Sequence, residues 1–217
     1  MKTTKFLQAF LFLSCLSFFN SYGQEPLKKE TNTKFGVKAG VNFSNLYTDD
    51  VDDNNMLTGF HVGGYAKIGL SDTFAIQPEI SYTTKGAELV YSNILFSGTG
   101  KFKLNYIEVP VLAVINVTEN LSIQVGPYAA YLIDAKITNE ASGNAFDFAS
   151  NLDTDDYNRF DAGLVGGIDF DLGGFGFGAR YNYGLTKVGK DAAFGSAFTF
   201  PDAKNSVISA YLSFGFN

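Results

Sequence analysis

From Phe35 to the end of the chain, apolar and polar residues alternate with a period of two, the signature of strands whose successive side chains point to opposite faces of a sheet. The first such stretch sets Phe35, Val37, Ala39, Val41 and Phe43 against Gly36, Lys38, Gly40 and Asn42. Comparable alternation covers 35–43, 60–70, 74–82, 107–117, 121–133, 160–172, 175–185 and 208–216. It is clearest in 175–185 and weakest in 107–117, where Leu112 and Val114 interrupt the polar face. No helical period is sustained over ten residues. The pattern predicts eight antiparallel strands.

Across all eight stretches the apolar face carries no charged residue, whereas the opposite face carries eight, Lys38, Lys67, Glu79, Glu108, Asp161, Asp169, Asp171 and Arg180, together with many glycines. Two objects fit: a soluble barrel or sandwich with its apolar face inside, and a membrane barrel with that face turned to lipid. Side-chain volume separates them. The interior of an eight-stranded barrel is narrow, so the face with the smaller residues belongs inside, and here that is the polar face. Glycine spread over a water-facing surface would weaken strands without compensation. The expected fold is therefore all-β, an eight-stranded antiparallel up-and-down transmembrane β-barrel.

The connections agree with this. Tight links at 71–72, 118–120 and 173 alternate with long ones at 44–58, 86–101, 135–157 and 186–205, as short periplasmic turns alternate with long extracellular loops in outer-membrane barrels. Outward aromatics gather at two heights. Phe35, Phe74, Phe170, Phe175, Phe214 and Phe216 lie at the turn ends, and Phe43, Phe60, Tyr82, Tyr131, Phe160 and Tyr183 at the loop ends.

The N-terminal segment has a different character. Lys2 and Lys5 precede an apolar run from Phe6 to Phe19 and a small-residue site at Ser21-Tyr22-Gly23, the organisation of a secretory signal peptide cut before Gln24. The expected domains are a signal peptide at 1–23, a periplasmic spacer at 24–34 and the barrel at 35–217. The single cysteine, Cys15, lies in the signal segment, so the exported chain has neither disulfide nor Cys-based metal site. Leu13-Ser14-Cys15 has a weak likeness to a lipoprotein box, but Leu16, Phe18 and Phe19 continue the signal core. The formal charge of −6 over 217 residues argues against nucleic acid as a partner.

Several segments together resemble the PorT-like outer-membrane β-barrel proteins common among Bacteroidota. They are Phe35-Gly-Val-Lys-Ala-Gly-Val-Asn-Phe-Ser, Gly59-Phe-His-Val-Gly-Gly-Tyr, Phe74-Ala-Ile-Gln-Pro-Glu-Ile-Ser-Tyr with Lys85-Gly86, Tyr106-Ile-Glu-Val-Pro-Val, and Gly126-Pro-Tyr. The resemblance implies a small outer-membrane barrel, in most members without an assigned activity, in a family whose name-giving member is linked to protein secretion and surface assembly; the expectation for this chain is no enzymatic activity and no cofactor. The terminal Asn217 departs from the terminal aromatic that commonly marks barrels for insertion.

Candidate chemistry is sparse. His61 is the only histidine, and no spacing marks an acid or nucleophile for it. Asp49, Asp50, Asp52 and Asp53, with Asp153, Asp155 and Asp156, lack the glycine and distal Glu of a calcium-binding EF loop and read as solvated carboxylates. Six of the inward charges, Lys38, Lys67, Glu79, Glu108, Asp169 and Arg180, are expected to pair because an unpaired charge inside a narrow barrel is costly. Glu79 and Arg180 lie six residues from their turns on strands predicted to face each other, so they form the expected pair, with Glu108 as alternate partner. Phe146, Phe148 and Tyr157 in the third long loop are candidate contacts for a surface or secretion protein. The functional expectation is a structural or interaction barrel embedded in outer-membrane lipid. A narrow pore or small-ligand carrier, and a lipid-acting enzyme, are the alternatives.

Overall fold

The computed structural model describes residues 33–47, 56–92, 97–141, 148–151, 157–189 and 203–216. Among them are nine strands: β1 (Thr33–Tyr47), β2 (Leu57–Gly69), β3 (Phe74–Ser92), β4 (Ser97–Asn116), β5 (Leu121–Ala141), β6 (Phe148–Asn151), β7 (Phe160–Asp171), β8 (Phe175–Lys187) and β9 (Lys204–Phe216). Every pairing is antiparallel. Consecutive pairings run β4-β3-β2-β1-β9-β8-β7-β5, and β4 pairs with β5 to close the circle. This is a closed eight-stranded barrel. The four-residue β6 is an addition, paired to the far end of β5 through Lys136↔Asn151 and Asn139↔Phe148. With eight strands in the ring, β3 and β8 lie diametrically opposite.

The turn ends are tight because short side chains and glycines bend them. Between β7 and β8, Gly173 and Gly174 take φ of 81° and 108°, a region that suits glycine, and Asp171 Oδ1 accepts both of their N–H groups at 3.0 Å. Between β2 and β3, Leu70 N–H donates to Phe74 O at 2.9 Å, and between β4 and β5, Val117 N–H donates to Leu121 O at 2.8 Å.

The outward face between the turn and loop ends is hydrocarbon. Ile80, Leu164, Leu212 and Phe160 are each more than half exposed, at 59%, 52%, 56% and 58%. In water so much contiguous apolar surface would drive aggregation; in lipid it is the solvated surface. The aromatic belts are in register, since Phe35 pairs with Phe216, Phe175 with Phe214 and Tyr131 with Phe160. Rings also meet across strands, with Phe170 stacked on Phe177 at 5.0 Å and Phe60 against Tyr82 at 5.6 Å. Eight residues of β1 separate Phe35 from Phe43, about 27 Å along a strand. At a tilt of about 40° this spans roughly 21 Å of the membrane normal, the greater part of a hydrocarbon band of about 25 Å.

Inward glycines seat tyrosine rings. Gly36 faces Tyr65 across the β1–β2 ladder, and a Cβ at Gly36 would fall 2.3 Å from the Tyr65 ring. Gly178 stands in the same relation to Tyr211 on β9, at 2.4 Å from its hydroxyl. Ring and missing side chain are thus one packing unit.

The strands run farther than their alternation predicts. The expected loop at 86–101 is instead mostly the outer half of the β3–β4 hairpin, and 135–141 continues β5. Two physical reasons account for the difference. Asn105 pairs with Asp134 but Tyr106 with Leu132, so Ile133 is an extra residue whose bulge shifts the phase of β5. Beyond the bulge the polarity of the wall also inverts. Phe102, Leu104, Ala135 and Ile137 are buried inside, while Lys101, Lys103 and Lys136 alternate with them and face out. A wall that is apolar outside below Tyr131 and apolar inside above Asn105 passes from lipid to water between them. Strand β1 begins at Thr33, two residues inside the predicted spacer.

Candidate functional site

The inner surface of the barrel is the site that the sequence singles out, and it is filled by charge in layers. In the middle layer Arg180 on β8 donates from Nη1 to Glu79 Oε2 at 2.8 Å and from Nη2 to Glu79 Oε1 at 2.9 Å, a forked pair spanning the lumen from β3. Glu79 also accepts from Lys38 Nζ at 2.8 Å and from Gln77 Nε2 at 2.7 Å, so one carboxylate serves two cations and an amide. Arg180 Nη2 additionally donates to Gln124 Oε1. Tyrosine faces complete the cation shell. The Lys38 ammonium lies 4.5 Å and the Arg180 guanidinium carbon 4.9 Å from the Tyr211 ring centre.

The layer toward the loops centres on Lys85, which lies 2.7 Å from Glu108 Oε2 and 3.0 Å from Asp161 Oδ2. Asp161 also accepts from Asn205 Nδ2 at 3.0 Å, Thr186 Oγ1 at 2.8 Å and the Tyr128 hydroxyl at 3.3 Å. Glu108 accepts from Asn182 Nδ2 at 3.1 Å. Lys85, Asp161 and Glu108 are all buried. Asp161 is surrounded by donors and Glu108 is held by the Lys85 ammonium and the Asn182 amide, so each buried carboxylate has a cation beside it.

Toward the turns, Lys67 Nζ donates to Asn116 Oδ1 at 3.2 Å and Asp169 Oδ1 accepts from the Tyr211 hydroxyl at 2.9 Å. Lys34 closes this end on Asp171 at 2.9 Å. Burial alone would raise the Asp171 pKa, but the Lys34 contact and the N–H groups of Gly174 and Gly173 outweigh it and hold that carboxyl below 3.8.

All six inward candidates, Lys38, Lys67, Glu79, Glu108, Asp169 and Arg180, therefore lie inside the barrel. Arg180 meets Glu79, while Glu108 bonds to Lys85 and Asn182. Lys67 and Asp169 hydrogen-bond neutral partners. Lys85 and Asp161 are central to the site but absent from the sequence candidates: Lys85 lies beyond the predicted end of its strand at Tyr82, and Asp161, although on the predicted inner face of 160–172, has no sequence signal that singles it out. Lys85 continues the inner register of Gln77, Glu79, Ser81 and Thr83, and extending that register past Tyr82 would have found it.

His61 is buried, with Nδ1 2.8 Å from Asn42 Oδ1 and its ring edge-on to Tyr211. Asn42 in turn donates to Thr83 Oγ1 at 2.9 Å and Thr84 O at 3.0 Å, so the imidazole is one member of a structural polar network. Among the described residues no group of three or more His, Cys, Asp or Glu is placed to hold a metal ion. Of the loop candidates, Phe146 lies outside the described residues and Phe148 opens β6. Tyr157 is a correction: it is 2% exposed and packs against Phe102 at 5.4 Å, so its ring belongs to the interior of the loop-end cap and presents no contact surface. The two aspartate groups at 49–53 and 153–156 lie outside the described residues.

Among the described residues, a lumen cavity of about 30 Å³ lies between the Glu79 and Lys85 layers, and one of about 10 Å³ lies near Lys67 and Asp169, each large enough for water.

A closed antiparallel barrel with hydrocarbon outside and satisfied charge inside defines a transmembrane β-barrel protein. The sequence profile of the family described as outer membrane protein beta-barrel domain matches residues 23–189, and the chain belongs to that family, which places it in the bacterial outer membrane. Comparison with curated proteins gave no match. Among solved structures, Neisserial surface protein A is similar at 15% identity and TM-score 0.51, covering 85% of this chain and 99% of that one. The attachment invasion locus protein Ail of Yersinia pestis is similar at 15% identity and TM-score 0.49 over 85% and 99%. The N-terminal barrel domain of Pseudomonas aeruginosa OprF is similar at 12% identity and TM-score 0.41 over 85% and 100%. The likeness to the Neisserial protein shows the barrel fold alone.

Proposed function

We propose that this barrel acts as a sealed scaffold that holds its loop-end cap at the cell surface for interaction with other envelope or surface proteins, rather than as a conduit. The observation that carries this reading is the Glu79–Arg180–Lys38 layer, which spans the lumen with contacts of 2.8 to 2.9 Å. Transport through the lumen would require these contacts and the Lys85 layer to break, so a pore or small-ligand carrier is disfavoured. The outer halves of β3, β4 and β5 rise beyond the loop-end aromatic belt and enclose Phe102, Leu104 and Tyr157 in a small core that holds the loops above it in place. His61, engaged by Asn42, lacks the acid–nucleophile arrangement of an envelope hydrolase. A role in surface assembly or secretion, as in the PorT-like proteins the sequence resembles, fits this reading, as does export by a signal peptide cut before Gln24.

Crosslinking in native membranes followed by identification of the attached proteins tests it. Reproducible adducts from loop-end positions, absent from turn-end positions, are expected. Loop-end positions that give no adducts, together with stepwise single-channel conductance of the purified protein, would replace the scaffold reading with the pore.

A further inference from the structure

Three prolines lie inside the spanning strands, Pro78 on β3, Pro110 on β4 and Pro127 on β5, and each interrupts a ladder. Between β2 and β3 the pairing passes from Tyr65↔Glu79 to Ile68↔Ile76, leaving Ala66 opposite Pro78 without a bridge. Between β3 and β4 it passes from Ser81↔Glu108 to Pro78↔Val111, leaving Glu79 opposite Pro110. Between β4 and β5 it passes from Pro110↔Tyr128 to Ala113↔Val125, leaving Val111 opposite Pro127. Proline has no N–H, so the carbonyls of Ala66, Glu79 and Val111 lose their ladder donors. The ladders β1–β2, β1–β9 and β5–β7 run without a gap. The breaks are thus gathered in one panel of the wall, which includes the three strands whose outer halves carry the cap.

No donor reaches these carbonyls from outside. Val109 and Val111 are 43% and 44% exposed on the lipid face, where an unsatisfied backbone group is costly. The lumen side differs. The cavity of about 30 Å³ touches both Glu79 and Pro110, the two sides of the β3–β4 break, and the one of about 10 Å³ touches Tyr65, Lys67 and Gln77 around the Ala66–Pro78 break. Neither is lined by Val111 or Pro127. Arg180 also lines the larger cavity. Its two terminal nitrogens are engaged by Glu79 and Gln124, while its Nε is buried and has no partner. Charge in these layers balances, with Lys38, Lys85 and Arg180 against Glu79, Glu108 and Asp161, so the occupant needs no charge. It must accept from Arg180 Nε and donate to a carbonyl. A halide cannot donate and a metal ion cannot accept, whereas water does both.

We propose that the larger cavity is a water-binding site in which bound water donates to the Glu79 carbonyl and accepts from Arg180 Nε, completing the wall where Pro110 leaves it open. The volume of about 30 Å³ exceeds the roughly 10–15 Å³ that one water needs. The water stands in for the missing N–H, so the β3–β4 ladder continues through it beneath the cap. The site is independent of whether the cap binds a protein partner.

The test uses the full isotope-labelled chain in lipid bilayers and solid-state NMR with polarisation transferred from water. Arg180 Nε–H and the Glu79 carbonyl are expected to gain signal at short mixing times, and the Val111 carbonyl, which has the same proline defect but no cavity, is expected to gain none. P110A returns an N–H opposite Glu79 and should weaken the gain at that carbonyl while the gain at Arg180 persists. Replacing chloride by bromide should leave the Arg180 Nε resonance where it is. The absence of transfer to Arg180 Nε, or equal transfer to Glu79 and Val111, would overturn the proposal in the unmodified protein, whatever the folding of the variant. An undiminished gain at Glu79 in folded P110A would do the same, and a bromide-dependent shift would make the occupant an anion.

Discussion

Glu79 is the residue on which the lumen depends, because it is shared by Arg180 and Lys38. Changing Arg180 to Met leaves Glu79 with one cation and removes the forked contact. Loss of one partner of a buried pair costs about 3–5 kcal/mol, and urea unfolding of R180M in lipid vesicles should show a destabilisation of that order. Glycines offer a sharper contrast at the same scale. A Cβ at Gly178 would meet the Tyr211 hydroxyl at 2.4 Å and Ile168 O at 2.6 Å, whereas at outward Gly166 the nearest atom is Gln124 O at 3.8 Å. G178A should therefore destabilise by about 1–3 kcal/mol and G166A should be neutral or slightly stabilising, measured by the same unfolding assay. At the turn end, the Asp171 carboxyl is held below its ordinary value by Lys34 and two backbone N–H groups. A depressed carboxylate pKa contributes stability above the unfolded value, and that contribution is lost as pH falls through the folded value. Between pH 5 and pH 2, D171N should show a smaller fall in unfolding midpoint than the unchanged protein.

At the scale of elements, the outer halves of β3, β4 and β5 behave as a small water-soluble sheet mounted on a membrane barrel. Their core is apolar inside, so replacing Phe102 and Leu104 with Ser should cost the cap about 2–5 kcal/mol per residue and leave the spanning strands in place. Limited trypsin digestion reads this directly: cleavage at Lys101 and Lys103 should accelerate in F102S/L104S, with the band from the spanning region unchanged. The same region shows where sequence reading ends. Between the belts, one rule holds on every strand, lipid outside and polar or small inside, and period two exposes it; even the apolar inner residues Leu112 and Val114 only weaken it. Above the belt the rule reverses, the Ile133 bulge slips the phase, and Ser97-Gly98-Thr99-Gly100 has the composition of a loop, so the hairpin reads as a connection although it is paired throughout. Lys85 falls outside the predicted strand for that reason, whereas Asp161 lies on the predicted inner face of 160–172 and only its role as a hub needs the structure; Tyr157 reads as a loop ring because the strands that bury it are not visible in the alternation. The opposition of Glu79 and Arg180, in contrast, follows from strand order and distance from the turns, both of which are visible in the alternation.

For the molecule as a whole, two surfaces of opposite polarity meet two different solvents, and the strands between them are single layers thick. Glu79, Arg180, Lys38, Lys85, Glu108 and Asp161 cross the lumen among the described residues, and the sealed-scaffold reading takes them as a barrier to ions. Planar bilayers containing the purified protein should show no stepwise conductance at neutral pH and moderate salt, and R180M should be the variant in which leakage first arises. The arrangement itself is tested most directly by spin labels placed singly at two outward positions, Ile168 between the belts and Lys136 above them, in a chain with Cys15 changed to Ser and reconstituted in vesicles. The account predicts that the label at 168 is relaxed by dissolved oxygen and shielded from a water-soluble nickel chelate, and that the label at 136 shows the reverse; a label at 168 as open to the chelate as the one at 136 would contradict it.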